Sequence, residues 1–188
     1  MHNNLEFNYK IPSLFCSIML VIGIGLVTAS CSQSKMVPYQ FQSVEINYPE
    51  SWTVEKSSEG LLFQPSEKVD VGITILSNPP EYMEASLQHS LEDFLSTEFL
   101  PNLKEVLTSS PVQDSDFNGY PAVRGQVVAD LARSEGATYA LQFDLILVQH
   151  ENERALIITH QRGGTEAINE DIADNVESIL SSFQFRED

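Results

Sequence analysis

Apolar and polar residues alternate with a period of two through most of the chain, and switch to a helical period in two places. Val44, Ile46 and Tyr48 alternate with Glu45 and Asn47, the pattern of a half-buried strand. Pro49-Glu50-Ser51 predicts a turn, after which Trp52 and Val54 restart the alternation. Gly60 to Gln64 predicts a third strand, closed by Pro65. Val69, Val71, Ile73 and Ile75 predict a fourth, which Asn78-Pro79-Pro80 stops, because proline cannot donate to a ladder. From Ser86 to Leu100 the period changes. Leu87, Leu91, Phe94, Leu95 and Phe99 make one helical stripe, ended by Pro101.

Strands return at Val106 to Ser109 and at Val112 to Phe117. Asn118-Gly119 is a dipeptide suited to a tight hairpin, where both positions need positive φ, and it leads into a strand from Tyr120 to Leu131. After a polar turn at Arg133 to Ala137 comes the longest strand, Tyr139 to Val148. Tyr139, Leu141, Phe143, Leu145 and Leu147 lie on one of its faces, and Ala140, Ile146 and Val148 on the other. A strand apolar on both faces is central and covered twice. A turn at His150 to Glu153 precedes a strand at Ala155 to Thr159. Gly163-Gly164-Thr165 then breaks the chain and caps a last helix, whose stripe is Ile168, Ile172, Val176, Ile179 and Leu180. Phe183 and Phe185 close the core. The connections between strands are too short for parallel crossovers. The expected fold class is therefore α+β, a mainly antiparallel sheet flanked by helices.

The start of the chain belongs to a different pattern. Leu14 to Val27 is an apolar run of 14 residues, shorter than the roughly 20 that a spanning helix needs. Lys10 precedes it, and the small residues Thr28, Ala29 and Ser30 follow. This is the plan of a secretory signal peptide. The next residue is Cys31, and Thr28-Ala29-Ser30-Cys31 resembles the lipobox of bacterial lipoproteins, with Thr28 where that pattern has leucine. The resemblance implies cleavage before Cys31 and acylation of its thiol. The expected organisation is a signal peptide over 1–30, a short tether over 31–40 starting at the lipidated Cys31, and a single globular domain over 41–188. The expected location is the exported face of a membrane, whether periplasmic, thylakoid-lumenal or cell-surface.

Composition sharpens that picture. The chain has 188 residues, 27 acidic and 10 basic, for a net charge of −17. Residues 1–30 hold one Lys and one Glu, so the whole −17 stays on the rest of the chain. Such a charge excludes a nucleic-acid binder, which needs a basic surface, and it argues for a protein partner with a basic surface. It also repels anionic lipid within a Debye length of about 8 Å, so acyl chains rather than charge would hold the protein to its membrane. Cys16 leaves with the signal and Cys31 carries lipid, so neither a disulfide nor a thiolate metal site is expected.

Candidate chemistry is sparse. His89 lies in the first helical stretch and reads as a solvated residue. His150 stands beside Glu151 and Glu153, but zinc needs three or four ligands. His160 falls near the opposite end of the neighbouring strand, so the two histidines are not expected to share a site. Gly163-Gly164-Thr165 ahead of a helix could cradle an anion, but Glu166, Glu170, Asp171 and Asp174 would repel phosphate, and the plainer reading is a turn with a threonine cap. Glu170 and Asp174, four residues apart, could share a divalent cation weakly, although calcium wants six or more oxygens. Trp52 and Tyr48 read as core. No GxSxG elbow is present. No catalytic residue, cofactor site or metal site is assigned, and no enzymatic activity is expected.

Tyr48-Pro49-x-x-Trp52, the Gly119-Tyr120-Pro121-Ala122 restart, the long Tyr139 to Val148 strand and the closing Ser182-Phe183, taken in this order, resemble the PsbP-like fold family. That group includes the PsbP proteins of photosystem II, their cyanobacterial lipoprotein relatives, DcrB-like bacterial lipoproteins and a Mog-type Ran-binding factor. The resemblance spans about 41 to 185. It implies an α-β-α sandwich and a non-catalytic role in binding or assembling a membrane complex, photosystem II in a phototroph. The alternatives are a DcrB-like envelope lipoprotein, a carrier of a small ligand and, further off, a small hydrolase.

Overall fold

A computed structural model describes residues 34–58, 60–66, 70–78, 85–132, 138–162 and 169–187. The elements run β1 (Met36–Phe41), β2 (Val44–Pro49), β3 (Trp52–Lys56), β4 (Gly60–Pro65), β5 (Val71–Ser77), α1 (Leu87–Phe94), β6 (Glu105–Ser109), β7 (Gln113–Phe117), β8 (Tyr120–Ala132), β9 (Thr138–His150), β10 (Glu153–Arg162), α2 (Glu170–Ser181) and β11 (Gln184–Phe185). Every strand pair is antiparallel. An eight-stranded sheet has the order β3-β4-β5-β10-β9-β8-β6, with β7 also on β8, and a three-stranded sheet has the order β1-β2-β11. The fold is α+β, as the pattern predicts.

Two apolar clusters sit on the two faces of the large sheet. On one face, Leu91 and Leu95 pack against Val123, Val127, Leu141, Phe143, Leu145 and Leu147. On the other, Ile172 and Ile179 of α2, together with Phe41, Val44 and Ile46 of the small sheet, pack against Leu61, Phe63, Ile73, Ile75, Ile146, Val148 and Ile157. β9 contributes to both clusters, which is why its sequence is apolar on both sides. Trp52 is buried, with Tyr48 packed against the same cluster, as the alternation predicts.

Local chemistry sets the turns and ends. Asn118 (φ 54°) and Gly119 (φ 86°) both have positive φ, the requirement of a tight β7–β8 hairpin. Ser86 caps α1 by accepting a hydrogen bond from the His89 N–H. The predicted helix then loosens and tightens: α1 gives way to a π turn at Leu95–Phe99 and a 3-10 turn at Leu100–Asn102. Pro101 sits inside that last turn rather than ending the helix at its own position, because the first turn of a helix needs no N–H from it. The wider turn brings Phe99 within 5.1 Å of Phe143, edge to face.

Three expectations are corrected. Residues 36–40, read as tether, form β1, with Met36 paired to Pro49 and Phe41 to Val44. The cap of α2 is Asn169, whose side chain accepts from the Asp171 N–H, not Thr165; Gly163-Gly164-Thr165 lies outside the described residues. His150 ends β9 instead of opening a turn, and the turn is confined to Glu151-Asn152. The signal segment, Cys31 and the Arg133 to Ala137 turn also lie outside the described residues. Among those described, no helix is long and apolar enough to cross a membrane.

Candidate functional site

The register of β8, β9 and β10 shows where the large sheet is left open. On the α2 face, Val148 pairs with Ala122 and Ala155, and Ile146 with Arg124 and Ile157. The next rung on that face is Gln126–Asp144–Thr159, and the one after it is Val128–Gln142–Gln161. Ala122, Ile146, Val148, Ala155 and Ile157 are buried, whereas Gln126 and Gln161 are exposed and Gln142, Asp144 and Thr159 half-buried. The apolar cover therefore ends between two rungs. Beyond it lies a hydrogen-bonding patch built from Arg124, Gln126, Gln142, Asp144, Thr159 and Gln161.

Arg124 is fixed within this patch. Its Nε donates to Asp144 Oδ1 at 2.8 Å, and its Nη2 donates to the other carboxylate oxygen. The hydrogen bond to Asp144 raises the Arg124 pKa against the pull of burial, and the charge of Asp144 adds to the rise. The patch thus offers side-chain amides and a neutralised ion pair.

A groove of about 400 Å³ borders the patch. Its lining comes from Ala173, Val176, Glu177, Leu180 and Ser181 of α2, Gln161 of β10 and Asn118 of the β7–β8 turn. Asn118 Nδ2 donates to the Leu180 and Phe183 carbonyls at 2.8 and 3.1 Å, tying the hairpin to the end of α2. Glu170, Asp171, Asp174 and Glu177 lie on α2, which carries no lysine or arginine. A second open groove of about 420 Å³ runs between the start of α1 and β7–β8, past Ser86, Gln88, Asp114 and Ser115.

Among the described residues, one cationic side chain, that of Arg154, is buried. Arg154 donates from Nη1 to Ser90 Oγ at 3.1 Å, from Nη2 to the Ala85 carbonyl at 2.8 Å and from Nε to Gln149 Oε1 at 3.1 Å. Its backbone exchanges hydrogen bonds with Asn78, at 2.9 Å to Oδ1 and 2.7 Å from the Asn78 N–H. Asn78 Nδ2 reaches Ser43 Oγ, which meets Ser77 Oγ. This network ties β5, β10, α1 and the β1–β2 turn. Burial pulls the Arg154 pKa down, so it is the hydrogen bonds that make the charge tolerable there.

The histidines are placed apart. His89 is exposed on α1, as read from the stripe. His150 stacks on Phe185 at 5.6 Å and meets Tyr120 at 5.2 Å. His160 pairs with Phe143, seven residues along the β9–β10 register from the Glu153–His150 end, and lies over Gly72, where a Cβ would come within 2.5 Å of its Cε1. Burial lowers its pKa, and Asp70 opposes that shift. Glu170 and Asp174 are exposed on α2, and no group of three or more His, Cys, Asp or Glu capable of holding a metal occurs among the described residues. Sequence reasoning passed over Gln142, Asp144, Thr159 and Gln161. Their signal was legible as polar residues at alternate positions of otherwise apolar strands.

No protein-family model matches the chain, and no curated protein matches it. Solved structures do. A crystal structure from Bacteroides thetaiotaomicron has a TM-score of 0.54 at 12% identity, over 83% of this chain and 50% of that one. The chain thus spans half the length of that structure, and the likeness shows the fold. The cyanobacterial PsbP of Synechocystis sp. is similar at a TM-score of 0.47 and 13% identity, covering 87% of this chain and 99% of that one. The Ran-binding protein Mog1p of Saccharomyces cerevisiae is similar at 0.46 and 11%, covering 81% and 96%. Members of the group that the sequence resembles are therefore among the structural neighbours, at low identity.

Proposed function

We propose that the protein is a lipid-anchored, non-catalytic accessory protein on the exported face of a membrane, whose acidic domain binds a basic protein of a membrane complex. One observation carries the reading: an apolar run of 14 residues ends in Thr28-Ala29-Ser30-Cys31, and β1 begins at Met36. From Cys31 to Met36 the chain reaches at most about 18 Å, at about 3.5 Å per residue. That is shorter than the tether expected from the sequence, and it holds the domain against the bilayer. Acyl chains contribute about 0.8 kcal/mol per buried methylene, and two or more anchor stably. The net charge of −17 then selects a basic partner and steers its approach. In a phototroph the sequence resemblance to the PsbP group makes photosystem II the complex.

The test is Cys31→Ser, with palmitate labelling and membrane fractionation as readouts. The reading expects the wild-type chain to incorporate palmitate and sediment with membranes, and the variant to do neither. A variant that labels and sediments like wild type defeats it.

A further inference from the structure

The groove between α2, Gln161 and Asn118 combines three features that rarely serve one small ligand. Ala173, Val176 and Leu180 give it an apolar floor, Glu177 gives it a carboxylate, and Gln161 and Asn118 give it amides. Asn118 spends its Nδ2 on two carbonyls, which leaves its Oδ1 as an acceptor. Both hard-cation and phosphate chemistry are a poor fit. Glu177 is the single carboxylate among the lining residues, against the six or more oxygens that calcium takes, and the acidic α2 repels anions. An extended lysine or arginine side chain fits. Its methylenes cover an apolar floor while its head stays at a polar rim, beside a carboxylate and amide oxygens that accept from it. Gln161 belongs both to the groove and to the open patch of Gln126, Gln142, Asp144 and Thr159, so the groove continues into a flat hydrogen-bonding surface of protein-interface character.

We infer that this groove receives a lysine or arginine side chain from a protein partner, with the adjoining β8–β9–β10 patch as the rest of the footprint. The inference rests on the reading of the protein as a binding module and names the surface that it would use.

Two α2 variants of equal charge change separate a built groove from diffuse acidity. Ala173→Lys places a lysine of the chain itself in the groove, and Ser178→Lys puts the same charge on the same helix at a residue that does not line it. The full chain, reconstituted in phosphatidylcholine vesicles at low ionic strength, is titrated with fluorescent octalysine. Ala173→Lys is expected to weaken binding at least tenfold and Ser178→Lys by less than about twofold. Equal effects, or none from Ala173→Lys, overturn the inference. Carbodiimide coupling of octalysine to the wild-type chain gives a readout that needs no variant: the expected cross-link is at Glu177, and one spread evenly over Glu92, Asp114 and Glu177 contradicts it. Membrane attachment of the same samples reports separately on the anchor, so loss of one reading leaves the other to be judged by itself.

Discussion

The two faces of the large sheet are made from the same strands but end differently. On the α1 face, Leu141, Phe143, Leu145 and Leu147 follow one another along β9, and all are buried under α1 and the turns after it. On the opposite face, the same strand reads Gln142, Asp144, Ile146, Val148, and only the last two are buried. β10 changes at the same rungs, from Ala155 and Ile157 to Thr159 and Gln161. One face is sealed from Leu141 to Leu147. The other is sealed only where α2 and the small sheet cover it, and is built for water or for a partner beyond that line. Polar residues in register on two neighbouring strands mark a designed surface more strongly than any one of them does.

Truncating one residue on each side of β9 gives the largest expected contrast between the two faces. Leu145→Ala is expected to cost about 2–5 kcal/mol, since it leaves a cavity in a core that cannot fully collapse. Gln142→Ala is expected to stay within about 0.5 kcal/mol, as surface changes do. Urea unfolding monitored by Trp52 fluorescence measures both. A Gln142→Ala loss as large as that of Leu145→Ala would mean that the second face is covered after all.

Arg154→Met probes the polar seam at one end of the sheet. Removing the guanidinium takes away its hydrogen bonds to Ser90 and the Ala85 carbonyl, and the expected loss is about 2–4 kcal/mol. Urea midpoints compared for Arg154→Met and Arg154→Lys check it, with lysine recovering only part, because its ammonium lacks the planar fork. Asn118→Ala removes the tie from the hairpin to α2 and the residue suited to positive φ, with an expected loss of about 1–2 kcal/mol in the same measurement.

The smallest effect concerns pH. The neutral form of His160 is favoured in the fold, because burial holds its pKa below 6.5. Stability from that preference is present above about 6.5 and is lost as pH falls through the folded value. His160→Gln is expected to flatten the difference in urea midpoint between about pH 7 and pH 5. An unchanged difference would show that the imidazole over Gly72 is not held neutral.

Most of the fold was legible because periodicity reports burial directly. Tyr139 to Val148 announced a central strand, Asn118-Gly119 the β7–β8 hairpin and Leu87 to Phe99 the helix that covers one face of the sheet. β1 was not legible. Met36, Val37, Pro38, Tyr39 and Gln40 show weak alternation with a proline, and what makes them a strand is pairing with β2 on the edge of the small sheet, where a missing N–H costs little. β11 is two residues long and depends on the same neighbour. The groove was illegible for another reason. Asn118, Gln161 and Glu177 are far apart in sequence, and only the closure of α2 onto the sheet brings them together. The edge at β6 is different again. Val106 and Leu107 are 40% and 46% exposed, beside a register shift between Val106 and Thr108, and bulges of this kind protect an edge from pairing.

The most direct test of the open face as the docking surface uses the full chain in its own membranes. Gln161→Cys is labelled with a maleimide before and after a high-salt wash, alongside Thr97→Cys on the exposed end of the α1 side. If the open face is the docking surface, Gln161→Cys labels slowly and speeds up several-fold once salt releases a basic partner, while Thr97→Cys labels quickly throughout. Equally fast labelling of both positions before and after the wash would contradict it.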